Sequence, residues 1–144
     1  MMEELNDGAE TALKIVDNGS VFTGSLMDQQ IKDLLTATYT AFNRRDVDAV
    51  LANMQPDVDW PNGMEGGRVH GHEAVRQYWL RQWTQFNPHV EPQGFRTDPG
   101  GATVVEVHQV IRDMDGNLLA DRMVEHVYRF RNGLIEAMEI RETA

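Results

Sequence analysis

The fold is decided by residues 103–141, which read TVVEVHQVIRDMDGNLLADRMVEHVYRFRNGLIEAMEIR. Apolar side chains alternate with polar ones in three runs of this stretch, and that two-residue period is typical of strands that bury one face. Asp115-Gly116 and Asn132-Gly133 separate the runs, and such pairs favour tight hairpin turns. The stretch therefore predicts three antiparallel strands, at 103–114, 118–130 and 134–141.

The residues before this stretch follow the helical period instead. Ile31, Leu35 and Phe42 recur on one face of a predicted helix over 28–43. Asp46 has the position of an N-cap for a second, short helix. The other predicted elements are a strand around 58–60, a helix over 72–86 and a strand over 90–97, with Pro56 ending the second helix and Pro88 the third. Helices followed by a curled antiparallel sheet make an α+β arrangement.

The composition is that of one globular domain. The 144 residues carry a net charge of −10, and this acidity offers no basic stripe for nucleic acid or an anionic membrane. The absence of cysteine excludes disulfides, thiolate zinc sites and cysteine nucleophiles. Neither a membrane span nor a secretory signal pattern is visible, so we expect a cytoplasmic protein. Residues 1–26 are acidic and without a sustained period, so we expect a loosely structured extension before a domain over 27–144.

Strand parity predicts which side chains share the inner face of the sheet. One face of the middle strand carries Arg122, His126 and Tyr128 together with apolar residues, and the opposite face is more charged and hence expected to be outer. A tight turn at Asp115-Gly116 pairs Gln109 with Arg122, which puts Gln109 on the inner face as well.

The register of the last hairpin has two alternatives. A two-residue loop at Asn132-Gly133 sets Glu139 opposite His126, whereas a three-residue loop sets Met138 there. We favour the second alternative because Met138 and Ile140 then share the inner face.

Three segments carry a family resemblance: YTAFNRRDVDAVLANMQPDVDW (39–60), VHGHEAVRQYW (69–79) and DRMVEHVYRFRNGLIEAMEI (121–140). In order and spacing they resemble the NTF2-like superfamily, in particular its SnoaL-like and ketosteroid-isomerase-like branch. The resemblance implies a cystatin-like cone, with three N-terminal helices on a strongly curved, mainly antiparallel sheet that encloses a pocket. It also implies a homodimer through the convex sheet face.

The same resemblance implies a class of activity. The leading hypothesis is an isomerase-, cyclase- or hydratase-like enzyme acting on a small apolar molecule of the polyketide or steroid type. A non-catalytic small-molecule binding or accessory module is the alternative, and epoxide hydrolysis is less favoured. Counting along the chain places the family's aspartate base at Asn62, which cannot take a proton at neutral pH. Its oxyanion tyrosine falls on Thr38, with Tyr39 one residue away, and its second oxyanion acid falls on His126.

The candidate site combines the inner face with these positions. The catalytic candidates are His126, Arg122 and Tyr128, and the substrate-binding candidates are Trp60, Asn62, Gln109, Thr38 and Trp79. His126 has an unperturbed pKa of about 6.5, near what a general acid or base needs. Arg122 would steady a carboxylate or enolate, and Tyr128 would donate to a carbonyl oxygen. The structural alternatives are a hydrogen-bonded core histidine, a core Trp79 and a Thr38 hydroxyl bonded to a backbone carbonyl.

No metal or cofactor is predicted. His70, His72 and Glu73 have the right chemistry for zinc, but a site needs at least one more ligand. The same residues also fit the start of a helix, where the dipole favours an acid.

We predict that two copies of the chain pair through their sheets. The expected outer face carries Met123, Val127 and His108 among charged residues, and its apolar patches favour coverage by an isologous partner. Light scattering at micromolar concentration should give twice the chain mass of 16.4 kDa, and the mass of a single chain would contradict the prediction.

Overall fold

The computed structural model describes residues 20–21 and 25–142, which form three helices and one seven-stranded sheet. The helices are α1 (Leu26–Asn43), α2 (Val47–Leu51) and α3 (His72–Trp83). The strands are β1 (Ser20–Val21), β2 (Met54–Pro61), β3 (Arg68–His70), β4 (Phe86–Thr97), β5 (Thr103–Asp113), β6 (Leu118–Arg131) and β7 (Leu134–Glu142). The sheet order is β1-β4-β5-β6-β7-β2-β3, and only the β2–β7 pairing is parallel among these strands. The predicted α+β class is confirmed. Within the described ranges, no helix is long and apolar enough to cross a membrane.

The β5–β6 hairpin has the predicted register. Gln109 pairs with Arg122, and four residues further along the strands Val105 pairs with His126. The loop is longer than a two-residue turn, because Asp113 and Asn117 close it with a backbone hydrogen bond of 2.9 Å. A shift between Ile111 and Arg112 absorbs the difference, so the alternation of faces over the rest of the hairpin is unaffected.

The β6–β7 hairpin differs from both alternatives. Its turn has two residues, Asn132 and Gly133, at φ 52° and 79°, as a type I′ turn requires. The register then shifts at a bulge, because Phe130 pairs with Ile135 but Arg129 pairs with Ala137. The extra residue is Glu136. As a result, neither Glu139 nor Met138 faces His126, and Ile140 does.

The helix ends differ from the predicted ones. α1 begins at Leu26, where the Ser25 hydroxyl accepts a hydrogen bond from the Asp28 amide at 3.1 Å. Asp46 caps α2 as predicted, but Pro56 lies inside β2 rather than at the helix end. Pro88 likewise lies inside β4, where only one side of the strand is paired and a missing N–H is tolerated.

The arrangement of the helices also differs from the three N-terminal helices that the resemblance implies. β2 and β3 come between α2 and α3 in the chain, and α2 is only five residues long. Two residues of the expected extension over 1–26, Ser20 and Val21, form β1 and pair with Thr97 and Arg96 of β4. α1 begins at Leu26, within the last residues of that range. The other residues before Ser25 lie outside the described part of the chain.

The core lies between the inner face of the sheet and the helices α1 and α3. Leu35 on α1 and Val75 on α3 are fully buried, and they belong to the same cluster as Val105 and Val124 of the sheet. Each of these residues occurs on the apolar face that its local period predicts. Burial of this face is what holds the two helices on the sheet.

Asn43 at the end of α1 fixes the helix against the edge of β4. Its amide Nδ2 donates to the Val90 carbonyl at 2.8 Å, and its Oδ1 accepts from the Val90 N–H at 3.0 Å. In an antiparallel strand both backbone groups of one residue point to the same side. Asn43 therefore takes the place of a neighbouring strand at Val90.

Replacing Asn43 by alanine should lower the free energy of unfolding by about 2 kcal/mol, because two part-buried hydrogen bonds contribute roughly 1 kcal/mol each. Urea denaturation of the wild type and the variant measures the difference. Thr40→Ala, at an exposed position on the same helix, is the control and should change stability by less than about 0.5 kcal/mol. Equal losses in both variants would contradict the proposed role of Asn43.

Candidate functional site

A cavity of about 100 Å³ lies between the inner face of the sheet and the helices, partly open to solvent. Its wall is mainly aromatic, with side chains from α1, α3, β2 and β6: Tyr39, Phe42, Trp60, Tyr78, Trp79, His126 and Tyr128. The polar members are neutral, and include Thr38, Gln82 and Gln109. None of the described residues that line the cavity is an Asp, Glu, Lys or Arg. The cavity is therefore suited to the uncharged, flat part of a molecule.

A chain of hydrogen bonds crosses the cavity wall. The Tyr128 hydroxyl donates to the Tyr39 hydroxyl at 2.8 Å, and the Tyr39 oxygen lies 2.8 Å from Nδ1 of His126. A tyrosine hydroxyl can accept one hydrogen bond and donate its single proton to another acceptor, so this chain can run from Tyr128 through Tyr39 to Nδ1. In that tautomer the proton of the neutral imidazole is on Nε2, which has no hydrogen-bond partner among the described residues.

Burial sets the charge state of this chain. Desolvation lowers the pKa of His126 from 6.5 to about 4, so the ring is neutral at pH 7. Desolvation also raises the pKa of Tyr128. The pKa of Tyr39 is raised as well, first by desolvation and then by the neighbouring Tyr128 hydroxyl. The expectation that His126 titrates near neutrality is therefore corrected. His126 presents a neutral N–H donor rather than a base.

Gln109 and Arg122 form the polar rim of the site. Gln109 lines the cavity, but Arg122 is exposed and does not. Arg122 Nε donates to Gln109 Oε1 at 3.0 Å, and its Nη1 lies 3.7 Å from the carboxylate of Glu142. Arg122 and His126 lie four residues apart on β6, which corresponds to about 13 Å along a strand. The structure therefore separates two of the three predicted catalytic residues.

Two predicted substrate-binding residues have local partners. Asn62 is buried, but its amide donates to Glu65 Oε1 at 3.0 Å and accepts from the Glu65 N–H at 2.8 Å, and it does not line the cavity. Asn62 thus holds the loop that follows β2. Thr38 does line the cavity, but its hydroxyl donates to the Leu34 carbonyl at 2.7 Å and accepts from Asn53 at 2.8 Å. The Thr38 hydroxyl proton is therefore used within the protein.

Trp60 and Trp79, both predicted to bind substrate, line one wall of the cavity. Their rings meet edge to face, with centroids 5.7 Å apart, and Trp79 stacks on Trp83 at 6.0 Å. Both lining residues are less than a tenth exposed, so the wall is rigidly packed.

The loop over 62–67 lies at the cavity mouth. A side chain added at Gly63 would meet Tyr78 and Ile140, which both line the cavity. Glu65 fastens the loop to α3 through two hydrogen bonds from Arg81, at 2.9 and 3.1 Å. One side of the mouth is thus bounded by α3, β7 and this loop.

Tyr39 is the functional residue that sequence reasoning missed. Family counting placed the tyrosine at Thr38, one residue away. The helical spacing of Leu35, Tyr39 and Phe42 puts Tyr39 on the buried face of α1, and this signal was present in the sequence. His126 could not be paired with it in advance, since 87 residues separate the two.

The histidines near α3 do not converge on a common point. His72 Nε2 bonds to the Met54 carbonyl at 3.0 Å, while His70 lies 3.3 Å from Asp59. Across residues 20–21 and 25–142, no group of three or more His, Cys, Asp or Glu side chains is placed to hold a metal ion.

Comparison with known proteins identifies the family. The model of the SnoaL-like domain matches residues 35–138. An NTF2-like protein of unknown function from Burkholderia pseudomallei is 30% identical, with a TM-score of 0.68 over 79% of this chain and 91% of that one. TerC, co-crystallized with polyporic acid, is 26% identical, with a TM-score of 0.68 over 79% and 92% of the two chains. A putative polyketide cyclase from Xanthomonas campestris, 23% identical, shares the fold with a TM-score of 0.64 over 80% and 91%.

No curated protein matches the sequence. The family model nevertheless covers well over half of the 144 residues, and the fold agrees with that of the solved NTF2-like structures. The chain belongs to the SnoaL-like domain family of NTF2-like proteins.

Proposed function

We propose that the chain binds a small, largely aromatic carbonyl compound in this cavity and acts on it as an isomerase- or cyclase-like enzyme. The observation that carries the proposal is the Tyr128–Tyr39–His126 chain, which ends at a neutral imidazole in the wall of an apolar cavity, with Nε2 free of any partner among the described residues. TerC, which was co-crystallized with polyporic acid, supports the choice of a small-molecule ligand.

The chemistry follows from the donor and its surroundings. A hydrogen bond from Nε2–H to a substrate carbonyl oxygen strengthens as that oxygen gains charge on enolisation. The low dielectric of the apolar wall increases the effect, and the tyrosines behind the ring polarise it in the same direction. Because no carboxylate lines the described cavity, the C–H that loses its proton has to be acidic already, as it is between two carbonyl groups, and the proton passes to water at the open side of the cavity. The enolate carbon then bonds to a further carbonyl carbon of the same molecule, whose oxygen takes up the electron pair and is protonated by water. This requirement favours a polyketide-like substrate and an intramolecular cyclisation.

A non-catalytic binding module is the second candidate. The described lining residues include no Asp, Glu, Lys or Arg, and the pKa of His126 is lowered to about 4, which favours this candidate, since acid–base enzymes usually have two groups with pKa values matched to their roles. Epoxide hydrolysis is less favoured for the same reason, because it would call for carboxylates in the cavity. In either case a homodimer through the outer sheet face stays part of the proposal.

Replacing His126 by phenylalanine should lower the rate of cyclisation of an aromatic β-diketone that carries a further, more distant ketone by about 10²–10³-fold, as expected for losing one donor to a developing oxyanion. His126→Asn, which keeps an N–H donor, should lose less. Product formation is followed by chromatography, and tryptophan fluorescence from Trp60 and Trp79 reports ligand binding. Gln82→Ala, elsewhere on the wall, is the control and should turn over within a few fold of the wild type.

The outcomes separate the two candidate functions. Turnover unaffected by His126→Phe would contradict the role given to the imidazole. Tight binding of neutral aromatic compounds without any turnover would favour the binding module.

The depressed pKa of His126 should make the protein less stable in acid. Between pH 6.5 and about 4, His126 is protonated in the unfolded chain but neutral in the folded chain. As the pH is lowered through this range, the free energy of unfolding therefore decreases by up to about 3 kcal/mol. Urea denaturation from pH 7 to 4 measures this dependence. His126→Asn should flatten it, whereas His70→Asn, at an exposed histidine, is the control for losing an imidazole. An unchanged slope in His126→Asn would contradict a buried neutral ring.

A further inference from the structure

We propose that Gln109 and Arg122 form a carboxylate-binding subsite at the mouth of the cavity, so that the preferred ligand is an aromatic acid. Its flat body would lie along the aromatic wall, one oxygen would accept from His126, and its carboxylate would lie between the Gln109 amide and the Arg122 guanidinium. This inference rests on the proposed function, because it describes one end of a ligand in the same cavity.

The first argument is the orientation of Gln109. Arg122 Nε holds Gln109 Oε1 at 3.0 Å, which uses the acceptor of the amide and leaves its Nε2 hydrogens free. Gln109 lines the cavity, and the guanidinium lies directly behind its oxygen. The pair therefore offers amide and guanidinium N–H donors side by side, which is the donor pattern that a carboxylate accepts.

The second argument is that a carboxylate already approaches this guanidinium. Glu142, at the end of β7, lies 3.7 Å from Arg122 Nη1 and has a largely exposed side chain. At that distance there is no direct hydrogen bond, and exposed ion pairs contribute little to stability. A ligand carboxylate can therefore replace Glu142. Asp121, the neighbour of Arg122, does not compete because it is bonded to His108 on the other face at 2.7 Å.

The third argument compares Arg122 with the other cations beside the cavity. Arg81 is held by both oxygens of Glu65, and Arg45 is bonded to Asn87 and to the backbone carbonyls of Phe42 and Pro88. Of these three arginines, Arg122 makes the fewest hydrogen bonds to described residues: only its Nε is bonded, whereas Arg81 and Arg45 each use two guanidinium nitrogens. A ligand anion can therefore pair with Arg122 without breaking a hydrogen bond of the fold.

The spacing of the two polar ends sets the size of the ligand. His126 and Arg122 lie on one face of β6, about 13 Å apart along the strand, and both side chains shorten the gap that the ligand has to bridge. A body of two fused rings with an oxygen at one end and a carboxylate at the other has about the remaining length. The probe 6-hydroxy-2-naphthoate has this form, and 6-hydroxy-2-naphthamide is its uncharged match.

Calorimetric titration of the full chain with both probes at pH 7 tests the subsite. We expect the wild type to bind the naphthoate at least about tenfold more tightly than the naphthamide. Arg122→Gln should abolish this preference while changing the affinity for the naphthamide by less than about threefold. Glu142→Gln should raise the affinity for the naphthoate, because it removes the competing carboxylate. Arg129→Gln, an exposed arginine on the same strand, is the control and should keep the preference.

The possible results discriminate between the subsite and the proposed function. Binding of the naphthamide without any preference for the naphthoate, or a preference that persists in Arg122→Gln, would overturn the subsite and leave the proposed function standing. Failure of both probes to bind the wild type would overturn both proposals.

Discussion

The structure depends on three buried polar side chains that are hydrogen-bonded to one another. Tyr39, His126 and Tyr128 are each less than a tenth exposed, and a buried polar group without a partner destabilises a fold by about 1–3 kcal/mol. Tyr39 lies on α1, whereas His126 and Tyr128 lie on β6, so the two hydrogen bonds that join them fix α1 against β6. Asn43, one turn further along α1, completes the arrangement by tying the helix end to β4. The geometry of the cavity follows from where these bonds place α1.

This constraint also determines what the site can do. A histidine used to anchor a helix, in surroundings that keep it neutral, is a hydrogen-bond donor at pH 7 and a poor base. The bonds that stabilise the fold engage Nδ1 of the ring and leave Nε2 without a partner among the described residues. Structural and functional roles for His126 are therefore not alternatives, since the bond to Tyr39 serves both.

Much of this fold could be predicted from the sequence, and the failures have identifiable causes. The β5–β6 register and the inner position of His126 follow from alternation along two long strands, where a slip of one residue would expose the whole apolar face. The bulge at Glu136 leaves no trace in the alternation, so the partner of His126 was predicted wrongly. The role of Asn62 depends on a loop contact with Glu65. The lowered pKa of His126 depends on how deeply tertiary packing buries the ring. Local pattern contains neither kind of information.

The bulge has a consequence for the site beyond the error in register. Without it, Glu139 would lie beside His126, and a carboxylate there would stabilise the protonated imidazole and raise its pKa. With it, Glu139 pairs with Val127 on the other face, and the apolar Ile140 lies beside His126 at the cavity mouth. One extra residue in β7 thus keeps negative charge away from the neutral donor. It also leaves the described cavity wall without a carboxylate that would repel an anionic ligand.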